Sequence, residues 1–529
     1  MPKYIITTGG VMSGLGKGIA SASIGKILQS YGYNVTMIKV DPYINVDAGT
    51  MNPFEHGEVF VLDDGGECDM DLGNYERFLN KSLSRDNNIT TGKVYKAVID
   101  KERRGDYLGK TVQIIPHITD EIQREIRKAA KGSDITIIEL GGTVGDIESM
   151  PFLEACRQLH LEEGDNNVLF AHVTLVPVMS VVGEQKTKPT QHSVQRLQEA
   201  GIQPDLILAR SENKLEKKTK RKIANFCNVH VDDVVSDPDA DSIYEVPLVL
   251  QEENIGKKVA EKMNLKTKRD LSKWKKFVDR ILNPDKNITI ALAGKYTALG
   301  DSYVSIMESL KHAGAENNCR VDVKWVETED FEENSKELSI LDKVDGLIVP
   351  GGFGSRGAEG KIMAINYARE NDIPFLGLCY GFQLAAIGFA REVCNLEDAN
   401  TTENKEDCKH PIICILPEQY KIKDMGGTMR LGAMPCKVEK GTLAYKLYKK
   451  TKISERHRHR YELNPEYIDK LEKNGLEFSG KYPKKKIMEI LELPDHPFFL
   501  ATQFHPEFKS RPEDPSPPFV GFVKACLKK

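Results

Sequence analysis

The sequence predicts an α/β protein made of two doubly wound domains, and three observations support this fold class. Short apolar, β-branched runs alternate with longer amphipathic segments in both halves of the chain, as in parallel sheets covered by helices. A highly charged stretch at 261–287, with Asn-Pro-Asp near its end, separates the two series. The length of 529 residues also exceeds one ordinary domain. We therefore predict a first domain at 1–265, a helix-containing linker at 266–287 and a second domain at 288–529.

The predicted strands are the most apolar runs of each domain. The first run, Tyr4–Thr8, leads into a glycine-rich loop. Further strands are predicted within Asn34–Asp47, Asp134–Asp146, Val168–Val178 and Pro204–Ser211 of the first domain, and within Ile288–Tyr296, Arg320–Glu327, Val344–Gly357, Ile373–Ala386 and Phe498–Phe508 of the second. Several of these runs end in acidic or glycine residues, and α/β folds bind their ligands beyond the carboxyl ends of the strands.

Composition and local motifs exclude several classes of function. The net charge of −4 gives no general attraction to nucleic acid, and the amino-terminal residues lack the apolar core of a signal peptide. The longest apolar run, 167–182, is too short to span a membrane and contains His172 and Pro177. None of the ten cysteines forms a C-x-x-C pair, which argues against a zinc site and fits a reducing compartment. We expect a cytoplasmic enzyme with neither a nucleic-acid nor a membrane partner.

The segment Gly9–Leu28 has the strand, loop and helix order of a phosphate-binding P-loop, with two departures from the G-x-x-x-x-G-K-[ST] pattern. The first glycine lies one position early, at Gly10, and Gly18 replaces the hydroxyl residue that usually binds magnesium. We interpret the segment as a longer variant of an ATP-binding loop, in which Lys17 binds the phosphates and the metal is held elsewhere. The extra residue brings Ser13 towards a second triphosphate.

A cysteine nucleophile is predicted in the second domain. The G-x-C-x-G sequence centred on Cys379 follows an apolar strand, and it matches the cysteine form of a nucleophile elbow. A helix N-terminus behind Cys379 would favour its thiolate. His505 and Glu507 also follow a strand, and their spacing points both side chains to the same side, where His505 can serve as base and Glu507 can orient it. The glycines of 350–357 can direct backbone N–H groups at an oxyanion.

These motifs make residues 288–529 resemble the class I glutamine amidotransferases, Cys-His-Glu enzymes that hydrolyse glutamine and release ammonia. The resemblance implies an oxyanion hole formed by Gly352 and the backbone of Tyr380. It also implies a glutamine-binding set of Gly352, Tyr380, Gly381, Phe382, Gln383, Glu403 and Arg460. Tyr380 occupies a position where that family often has leucine, and a role of its backbone N–H tolerates the change.

The first domain should then hold the acceptor of the ammonia. Lys39 ends a predicted strand, Asp71 follows an acidic stretch, and Glu139 ends another strand. Two carboxylates together with phosphates are a normal Mg²⁺ site, because Mg²⁺ keeps several waters and needs few protein oxygens. The stretch 183–194 concentrates Lys186, Lys188, Gln191 and His192, which could bind a triphosphate, although a surface charge cluster is an equal alternative. The basic run 214–222 is most simply a solvated helix.

Long passages in both halves resemble the CTP synthase family from end to end, among them "LDDGGECDMDLGNYERF", "KERRGDYLGKTVQIIPHIT", "GGTVGDIES", "KTKPTQHS" and "ERHRHRY". Members convert UTP to CTP: ATP phosphorylates the uracil 4-oxygen, and ammonia from glutamine then displaces the phosphate. The resemblance implies ATP contacts at Ser13, Gly14, Leu15, Gly16, Lys17, Gly18, Ile19 and Asp71, with Mg²⁺ at Asp71 and Glu139. It implies contacts to UTP, or to inhibitory CTP, at Ser13, Asp146, Ile147, Glu148, Lys186, Thr187, Lys188, Pro189, Thr190, Gln191 and Lys222.

The same resemblance implies GTP as an allosteric activator, CTP as a feedback inhibitor, and homotetramers formed through the synthetase domains, with filaments as a further assembly. Lys17 is expected at the ATP phosphates and Lys39 near the transferred group, where they neutralise charge. Ammonia should pass inside the protein from Cys379 towards Lys39. His56 is a candidate for the wall of this passage, and a purely structural role for it is an equal alternative.

Two other classes of function remain open at the level of sequence. One is a different glutamine-dependent ligase, such as a cobyrinate-type amidase or a GMP synthetase, which would leave the stretches 37–78 and 183–194 unexplained. The other is a non-catalytic scaffold. The presence of Cys379, His505 and Glu507 together argues against a loss of catalysis.

Overall fold

The computed structural model describes residues 2–51, 57–179, 183–268, 270–294, 300–415 and 429–529. The chain divides into two compact units. The first unit comprises residues 1–48 and 71–278, and the second comprises residues 49–70 and 279–529. The segment 49–70 therefore groups with the second unit, although it lies far to the amino-terminal side of the remainder of that unit in the sequence.

The strands of the described chain are numbered here in sequence order. Those up to residue 278 are β1 Lys3–Gly9, β2 Val35–Asp41, β3 Phe60–Val61, β4 Glu67–Cys68, β5 Asn88–Thr90, β6 Ile135–Leu140, β7 Val168–Leu175, β8 Val178–Met179, β9 Glu184–Gln185, β10 Leu206–Ser211 and β11 Val234–Pro238. The later ones are β12 Lys286–Gly294, β13 Cys319–Glu327, β14 Gly346–Val349, β15 Phe375–Leu378, β16 Ala399–Thr401, β17 His410–Ile415, β18 Arg430–Val438, β19 Lys452–His459, β20 Tyr461–Leu463, β21 Glu477–Lys481, β22 Met488–Glu492 and β23 Phe499–Thr502.

The α-helices are numbered in the same way. The first ten are α1 Lys17–Ser30, α2 Met70–Leu79, α3 Thr91–Arg104, α4 Thr119–Ala129, α5 Met150–Glu163, α6 Lys188–Glu199, α7 Lys217–Cys227, α8 Val246–Glu252, α9 Ile255–Lys262 and α10 Ser272–Leu282. They are followed by α11 Val304–Glu316, α12 Glu329–Glu333, α13 Ala358–Glu370, α14 Tyr380–Glu392, α15 Leu443–Tyr448, α16 Ile468–Lys473 and α17 Pro517–Cys526.

The first unit is built on a parallel sheet with strand order β11-β10-β7-β1-β6-β2-β5. Its central strands are buried on both faces, as expected for a parallel sheet that helices cover on each side. In the register of β2 and β6, Lys39 lies opposite Glu139. Lys39 is third from the end of β2 and Glu139 is next to the end of β6, so the pairing of the strands brings a lysine and a glutamate together near the carboxyl ends of the strands.

The second unit contains a sheet with strand order β13-β12-β14-β15-β23-β22-β21-β18-β19. The strands from β13 to β23 pair in parallel, and those from β22 to β19 pair antiparallel. Two hydrophobic clusters line the two faces of this sheet and include the buried side chains of β12, β14 and β15. The carboxyl ends of β15 and β23, which are neighbours, lead directly into Cys379 and towards His505.

The predicted α/β fold class is confirmed, and each apolar run contains a strand. The runs were predicted longer than the strands are, because several continue into loops or helices: Ile373–Ala386 holds only β15 before α14 begins. Residues 295–296 of one predicted strand lie outside the described residues. The antiparallel strands β18 to β22 were not predicted, since they belong to a half-polar region whose runs do not resemble a buried parallel strand.

The predicted linker contains a helix, α10, which packs tightly on the first unit. Trp274 is 1% exposed, its indole N–H donates to the carbonyl of Tyr244 at 2.8 Å, and its ring contacts Phe78 and Phe277. The Lys26 ammonium lies 4.7 Å from the indole centroid. This apolar face explains why the stretch is a helix in spite of its many charges.

All ten cysteines are free thiols, and nine of them are buried. Among the described residues, none of the helices combines the length and the apolar character that a bilayer crossing requires.

Replacing Trp274 with alanine should destabilise the first unit by about 3–5 kcal/mol, because a fully buried aromatic ring is lost and a cavity remains. Hydrogen exchange measured by mass spectrometry should show faster exchange in peptides of β10 and β11. Leu282→Ala is the matched control, since Leu282 lies on the same helix and is 39% exposed. Equal protection in both variants would mean that α10 is a loose connection.

Candidate active sites

Cys379 lies on a sharp turn between β15 and α14. Its φ of 49° and ψ of −94° are a strained conformation for a residue with a side chain, as a nucleophile elbow requires. Glycine is needed on both sides of it. A Cβ at Gly381 would lie 2.3 Å from the carbonyl oxygen of Val349, and a Cβ at Gly377 would lie 2.8 Å from the Cβ of Ala501 and 3.0 Å from the backbone of Gly381. The G-x-C-x-G spacing is therefore enforced by close packing of the backbone.

His505 and Glu507 form a buried pair next to this turn. His505 Nδ1 and Glu507 Oε1 are 2.7 Å apart, so Nε2 is the ring nitrogen left to exchange a proton with Cys379. Burial opposes a charge on the ring, but Glu507 and the Cys379 sulfur outweigh it and raise the pKa of His505 to about 10. At neutral pH the ring is thus an imidazolium, and it lies beside Cys379 at the N-terminus of α14.

The glycine loop after β14 runs along the same site. A Cβ at Gly351 would lie 2.9 Å from Cε1 of His505 and 3.7 Å from Cβ of Cys379. A Cβ at Gly352 would lie 3.9 Å from the Tyr380 ring. Gly352 and Tyr380, the predicted oxyanion-hole residues, are therefore neighbours. This arrangement fits an active site in which a thiolate attacks a carbonyl carbon.

The other predicted glutamine-binding residues differ in their burial and in their hydrogen-bond partners. Gln383 is buried and donates to the carbonyl of Tyr461 at 3.0 Å, and Glu403 accepts from the backbone N–H of Gly354 at 2.9 Å. Arg460 lies between β19 and β20. The Phe382 side chain belongs to the hydrophobic core, so any contact that Phe382 makes with a ligand would come from its backbone.

Two groups near the thiol were missed at the level of sequence. The Gln503 carboxamide is fully buried and donates to Cys379 Sγ at 3.7 Å, and its oxygen accepts from Gln383 at 3.3 Å. The carbonyl of Arg458 accepts a hydrogen bond from the Cys379 thiol group at 3.8 Å. Gln503 directly follows β23 and precedes His505 by two residues. This position next to the predicted base was the signal in the sequence that could have identified it. A backbone carbonyl leaves no signal in a sequence.

The glycine-rich loop of the first unit ends at Gly16, whose φ of 81° places it in the left-handed region, and α1 begins at Lys17. The Lys17 ammonium donates to the carbonyl of Gly142 at 2.8 Å, and burial lowers its pKa. A Cβ at Gly18 would lie 2.8 Å from Asp71 Oδ1 and 3.2 Å from Glu139 Oε2. Two carboxylates therefore lie against the position where the standard P-loop carries a hydroxyl residue.

Lys39, Asp71 and Glu139 form one buried charge cluster. The Lys39 ammonium binds Asp71 directly and lies 3.2 Å from Glu139 Oε1. Burial alone would lower the pKa of Lys39, but Asp71 and Glu139 raise it well above its usual value. Burial also raises the pKa of Glu139, to which the hydroxyl of Tyr75 donates. Tyr75, on α2, is a further member of the cluster that the sequence did not single out.

This cluster fits a magnesium ion. Asp71 and Glu139 direct hard carboxylate oxygens at a single cationic group, which is the donor type that Mg²⁺ prefers. Among the described residues no set of three or more histidine, cysteine or acidic side chains has the geometry of a metal site. A magnesium ion here would complete its coordination with phosphate oxygens and water.

A cavity of about 130 Å³ opens beside the glycine loop. It is lined by Gly16, Ile19 and Ala20 of the loop and α1, by Arg210 of β10 and Asp237 of β11, and by residues that follow β11: Ala240, Ser242, Ile243 and Val246. Its position next to Lys17 suits the base and sugar of a nucleotide whose phosphates reach the loop. The residues after β11 were missed because their sequence carries no phosphate-binding motif.

The helix α6, which carries much of the predicted pyrimidine site, packs directly on the glycine loop. A Cβ at Gly10 would lie 1.5 Å from Ser193 Oγ. Ser193 also bonds His172 at 2.6 Å, and His172 bonds Thr8 at 2.8 Å. Burial lowers the pKa of His172 to about 3, so this ring is neutral. The chain Thr8–His172–Ser193 fixes the loop and α6 to each other.

The remaining predicted residues of the pyrimidine site range from exposed to buried. Lys186 pairs with Glu184 at 2.6 Å, and Gln191 donates to Thr187 at 2.9 Å. Asp146 accepts from the backbone N–H of Thr143 at 2.9 Å. The exposed members are Ser13, Ile147, Glu148, Lys188 and Lys222, the partly buried ones are Asp146, Lys186 and Pro189, and the buried ones are Thr187, Thr190 and Gln191. Of the predicted ATP contacts in the glycine loop, Gly14 is exposed and Leu15 is buried. His56, the predicted passage residue, lies outside the described residues.

Comparison with known proteins gives one matching family model for each half of the chain. The family model described as CTP synthase N-terminus matches residues 3–265, and the model described as glutamine amidotransferase class-I matches residues 298–525. The CTP synthase of Pyrococcus abyssi is 60% identical over 528 residues, covering 99% of this chain and 98% of that protein. The CTP synthase of Archaeoglobus fulgidus is 58% identical over the same length and with the same coverage. A solved glutaminase domain of Trypanosoma brucei CTPS with bound acivicin is 38% identical, with a TM-score of 0.44, covering 46% of this chain and 94% of that one.

Glu507→Gln should reduce the reactivity of the Cys379 thiol at neutral pH. The carboxylate helps to keep His505 charged, so its loss lowers the pKa of the ring and weakens the positive charge beside the sulfur. The rate of alkylation of Cys379 by iodoacetamide at pH 7, followed on its peptide by mass spectrometry, should fall roughly tenfold. Glu439→Gln removes an exposed carboxylate and is the control. An unchanged rate would contradict the role of the His505–Glu507 pair.

Proposed function

This chain belongs to the CTP synthase family, and on this premise we propose how its own residues carry out the family's reaction. It is a glutamine-hydrolysing ligase of pyrimidine biosynthesis, which converts UTP to CTP at the expense of ATP. The observation that carries the proposal is the presence of two built sites in one chain. One is an elbow cysteine beside a buried His–Glu pair, and the other is a lysine–carboxylate cluster beside a phosphate-binding loop.

We propose that Cys379 attacks the side-chain amide carbon of glutamine. The imidazolium of His505 gives its proton to the leaving nitrogen, ammonia departs, and a thioester remains on Cys379. His505 then takes a proton from water, which attacks the thioester and releases glutamate. Glu507 keeps the ring in one orientation and stabilises its charged form. The backbone N–H groups of Gly352 and Tyr380 hold the oxyanion in both steps.

Glutamine is proposed to be held by Gln383, Glu403 and Arg460, together with backbone groups of Gly381 and Phe382. Glu403 suits the α-ammonium group of glutamine, and Arg460 suits its carboxylate. Gln503 donates towards the sulfur of Cys379 and supports the thiolate. This last residue adds a donor that the predicted set lacked.

In the first unit we propose that ATP binds along Ser13–Ile19 with its base in the adjacent cavity. Lys17 neutralises charge on the phosphates, and Lys39 does so near the group that is transferred to the uracil 4-oxygen. The position of Lys39 between Asp71 and Glu139 keeps it fully charged. Asp71 and Glu139 would hold Mg²⁺, which would supply charge neutralisation at the phosphates.

UTP is proposed to bind on the other side of the glycine loop, against α6 and the loop 146–148. Its phosphates would meet Lys186, Lys188 and Lys222, with Ser13 between the two nucleotides. The close packing of Gly10 on Ser193 supports this arrangement, because it leaves one loop facing two sites. CTP would compete at the same triphosphate contacts.

We further propose that ammonia travels inside the protein to the phosphorylated uracil, because most free ammonia is protonated at neutral pH and is then not a nucleophile. His56 remains a candidate for the wall of the passage. GTP as an activator, the homotetramer formed through the synthetase domains and its filaments are proposed from the family. A cytoplasmic location is proposed because all ten cysteines are free thiols.

The function is tested by the absorbance change from uracil to cytosine when UTP, ATP and glutamine are mixed with the protein. Cys379→Ala should abolish synthesis from glutamine and retain synthesis from added ammonium, because only the nucleophile of the glutaminase is lost. Absence of CTP with either nitrogen source in the unaltered protein would overturn the function. Loss of both activities in the variant would mean that the thiol is structural.

Gly18→Ser, which restores the hydroxyl residue of the standard P-loop, should lower ammonia-dependent CTP synthesis instead of improving it. The new Cβ would lie 2.8 Å from Asp71 Oδ1, so a carboxylate of the proposed metal site must move. We expect a loss of at least about tenfold in kcat/KM for ATP, since small displacements of positioned groups cost this much or more. Glutamine hydrolysis by the same sample should persist and is the internal control. Undiminished synthesis would show that these carboxylates are not needed in place.

A further inference from the structure

The segment 57–70 forms a hairpin that packs within the second unit. Its strands β3 and β4 pair antiparallel, with Phe60 opposite Cys68. Phe60 contacts Phe508 edge to face at a centroid distance of 5.2 Å, and the Phe508 ring stacks on the His505 imidazole at 5.0 Å. A segment from the amino-terminal third of the sequence thus lies one aromatic ring away from the proposed catalytic base.

The turn of the hairpin lies against β18. The backbone N–H of Ala433 donates to the carbonyl of Asp63 at 2.8 Å. Gly432 has a φ of 82°, and a Cβ there would lie 2.5 Å from the backbone nitrogen of Gly65. Backbone meets backbone at this contact, so glycine is required and the position of the hairpin is closely defined.

Arg456, on β19, joins the hairpin to His505. Its guanidinium is fully buried, donates to Asp63 Oδ1 at 2.6 Å and to the carbonyl of Val61 at 3.0 Å, and lies over the Phe60 ring. Asp63 also pairs with Lys509 at 3.4 Å. The backbone carbonyl of Arg456 accepts from the N–H of His505 at 2.8 Å. One residue therefore contacts the hairpin through its side chain and the catalytic histidine through its backbone.

Arg458 joins the hairpin to Cys379 in the same way. Its Nε donates to Glu67 Oε1 at 2.8 Å, and Glu67 is buried. Its carbonyl oxygen is the one that Cys379 Sγ approaches at 3.8 Å. Since Arg456 and Arg458 are two residues apart on a strand, their side chains share one face and their carbonyls share one edge. Among the described residues β19 is the terminal strand of its sheet, so this edge meets His505 and Cys379 where a further strand would otherwise pair.

We propose that Asp63 and Glu67 are positioning residues for glutamine hydrolysis, acting through Arg456 and Arg458. The hairpin binds the two arginine side chains and so positions β19. The carbonyl of Arg456 then positions the backbone of His505, and the carbonyl of Arg458 positions the sulfur of Cys379. Both carboxylates counter buried or partly buried guanidinium groups, and removal of one partner leaves the other charge uncompensated. The proposal rests on the function proposed above and adds residues to its glutaminase half.

The test uses the full chain carrying Glu67→Gln, which keeps the shape of the side chain and removes its charge. We expect kcat for glutamine hydrolysis to fall roughly tenfold or more, with KM for glutamine changed less than about twofold, because the bound substrate is unaffected while the thiol is misplaced. Alkylation of Cys379 by iodoacetamide should slow in parallel. Ammonia-dependent CTP synthesis should remain at the level of the unaltered protein.

Three further variants test whether the charge of Glu67 and its pairing with Arg458 cause the effect. Glu67→Asp keeps the charge and should recover most of kcat. Arg458→Gln combined with Glu67→Gln should cost little more than either change alone, because the two residues act as one pair. Glu439→Gln, which removes an exposed carboxylate of the same unit, should leave all rates unchanged.

Full glutaminase activity in both Glu67→Gln and Asp63→Asn would overturn the proposal. A parallel loss of ammonia-dependent synthesis would also overturn it, since a general structural role would then explain the effect. Failure of the proposed function is separate: a protein that hydrolyses glutamine but forms no CTP disproves the ligase reaction, and the hairpin is still tested by hydrolysis and by alkylation of Cys379.

Discussion

A buried charge needs a partner, because desolvation of an unpaired ion costs several kcal/mol, and this constraint shapes both active sites. Lys39 is buried with Asp71 and Glu139, and His505 with Glu507. The same rule operates beyond them. Arg430 pairs with Glu462 and Glu489 at 2.7 and 2.8 Å, and burial raises the pKa of these carboxyls to about 8 and about 7. Lys39 and His505 are therefore held in their charged forms by their neighbours before any substrate arrives, which is the preorganisation that charge-stabilising catalysis requires.

Both sites also depend on glycine, because in each of them other groups approach the main chain closely. The position of Gly381 admits no side chain because a carbonyl oxygen lies against it, and the position of Gly18 admits none because two carboxylates do. The two sites therefore use glycine for different ends: one to expose a nucleophile on a turn, the other to make room for acidic groups beside a phosphate loop. At Gly381 the glycine is the residue that the elbow motif calls for, whereas at Gly18 the carboxylates disfavour the hydroxyl residue of the standard P-loop.

The sequence could predict what depends on local pattern. The parallel strands are apolar runs, the elbow is a glycine pattern around Cys379, and His505 and Glu507 are spaced to share a side, so fold class and the meeting of His505 with Glu507 were accessible. Contacts between distant segments were not. Nothing in the sequence near Glu67 indicates that it binds Arg458, because a buried ion pair between residues separated by 391 positions has no local signature. The antiparallel strands and the residues lining the cavity after β11 were inaccessible for the same reason.

The hairpin and the Asp71 carboxylate are close to each other in the sequence. Glu67, which binds Arg458, precedes Asp71 by four positions, and α2 begins between them at Met70. Four residues of main chain span at most roughly 14 Å, and here the last of them are helical and stiff. Each contact lies within its own unit: the hairpin brings Glu67 to Arg458 in the second unit, and α2 brings Asp71 to Lys39 in the first. In the proposed function, a short stretch of main chain therefore joins a residue that positions the thiol to a carboxylate of the proposed metal site.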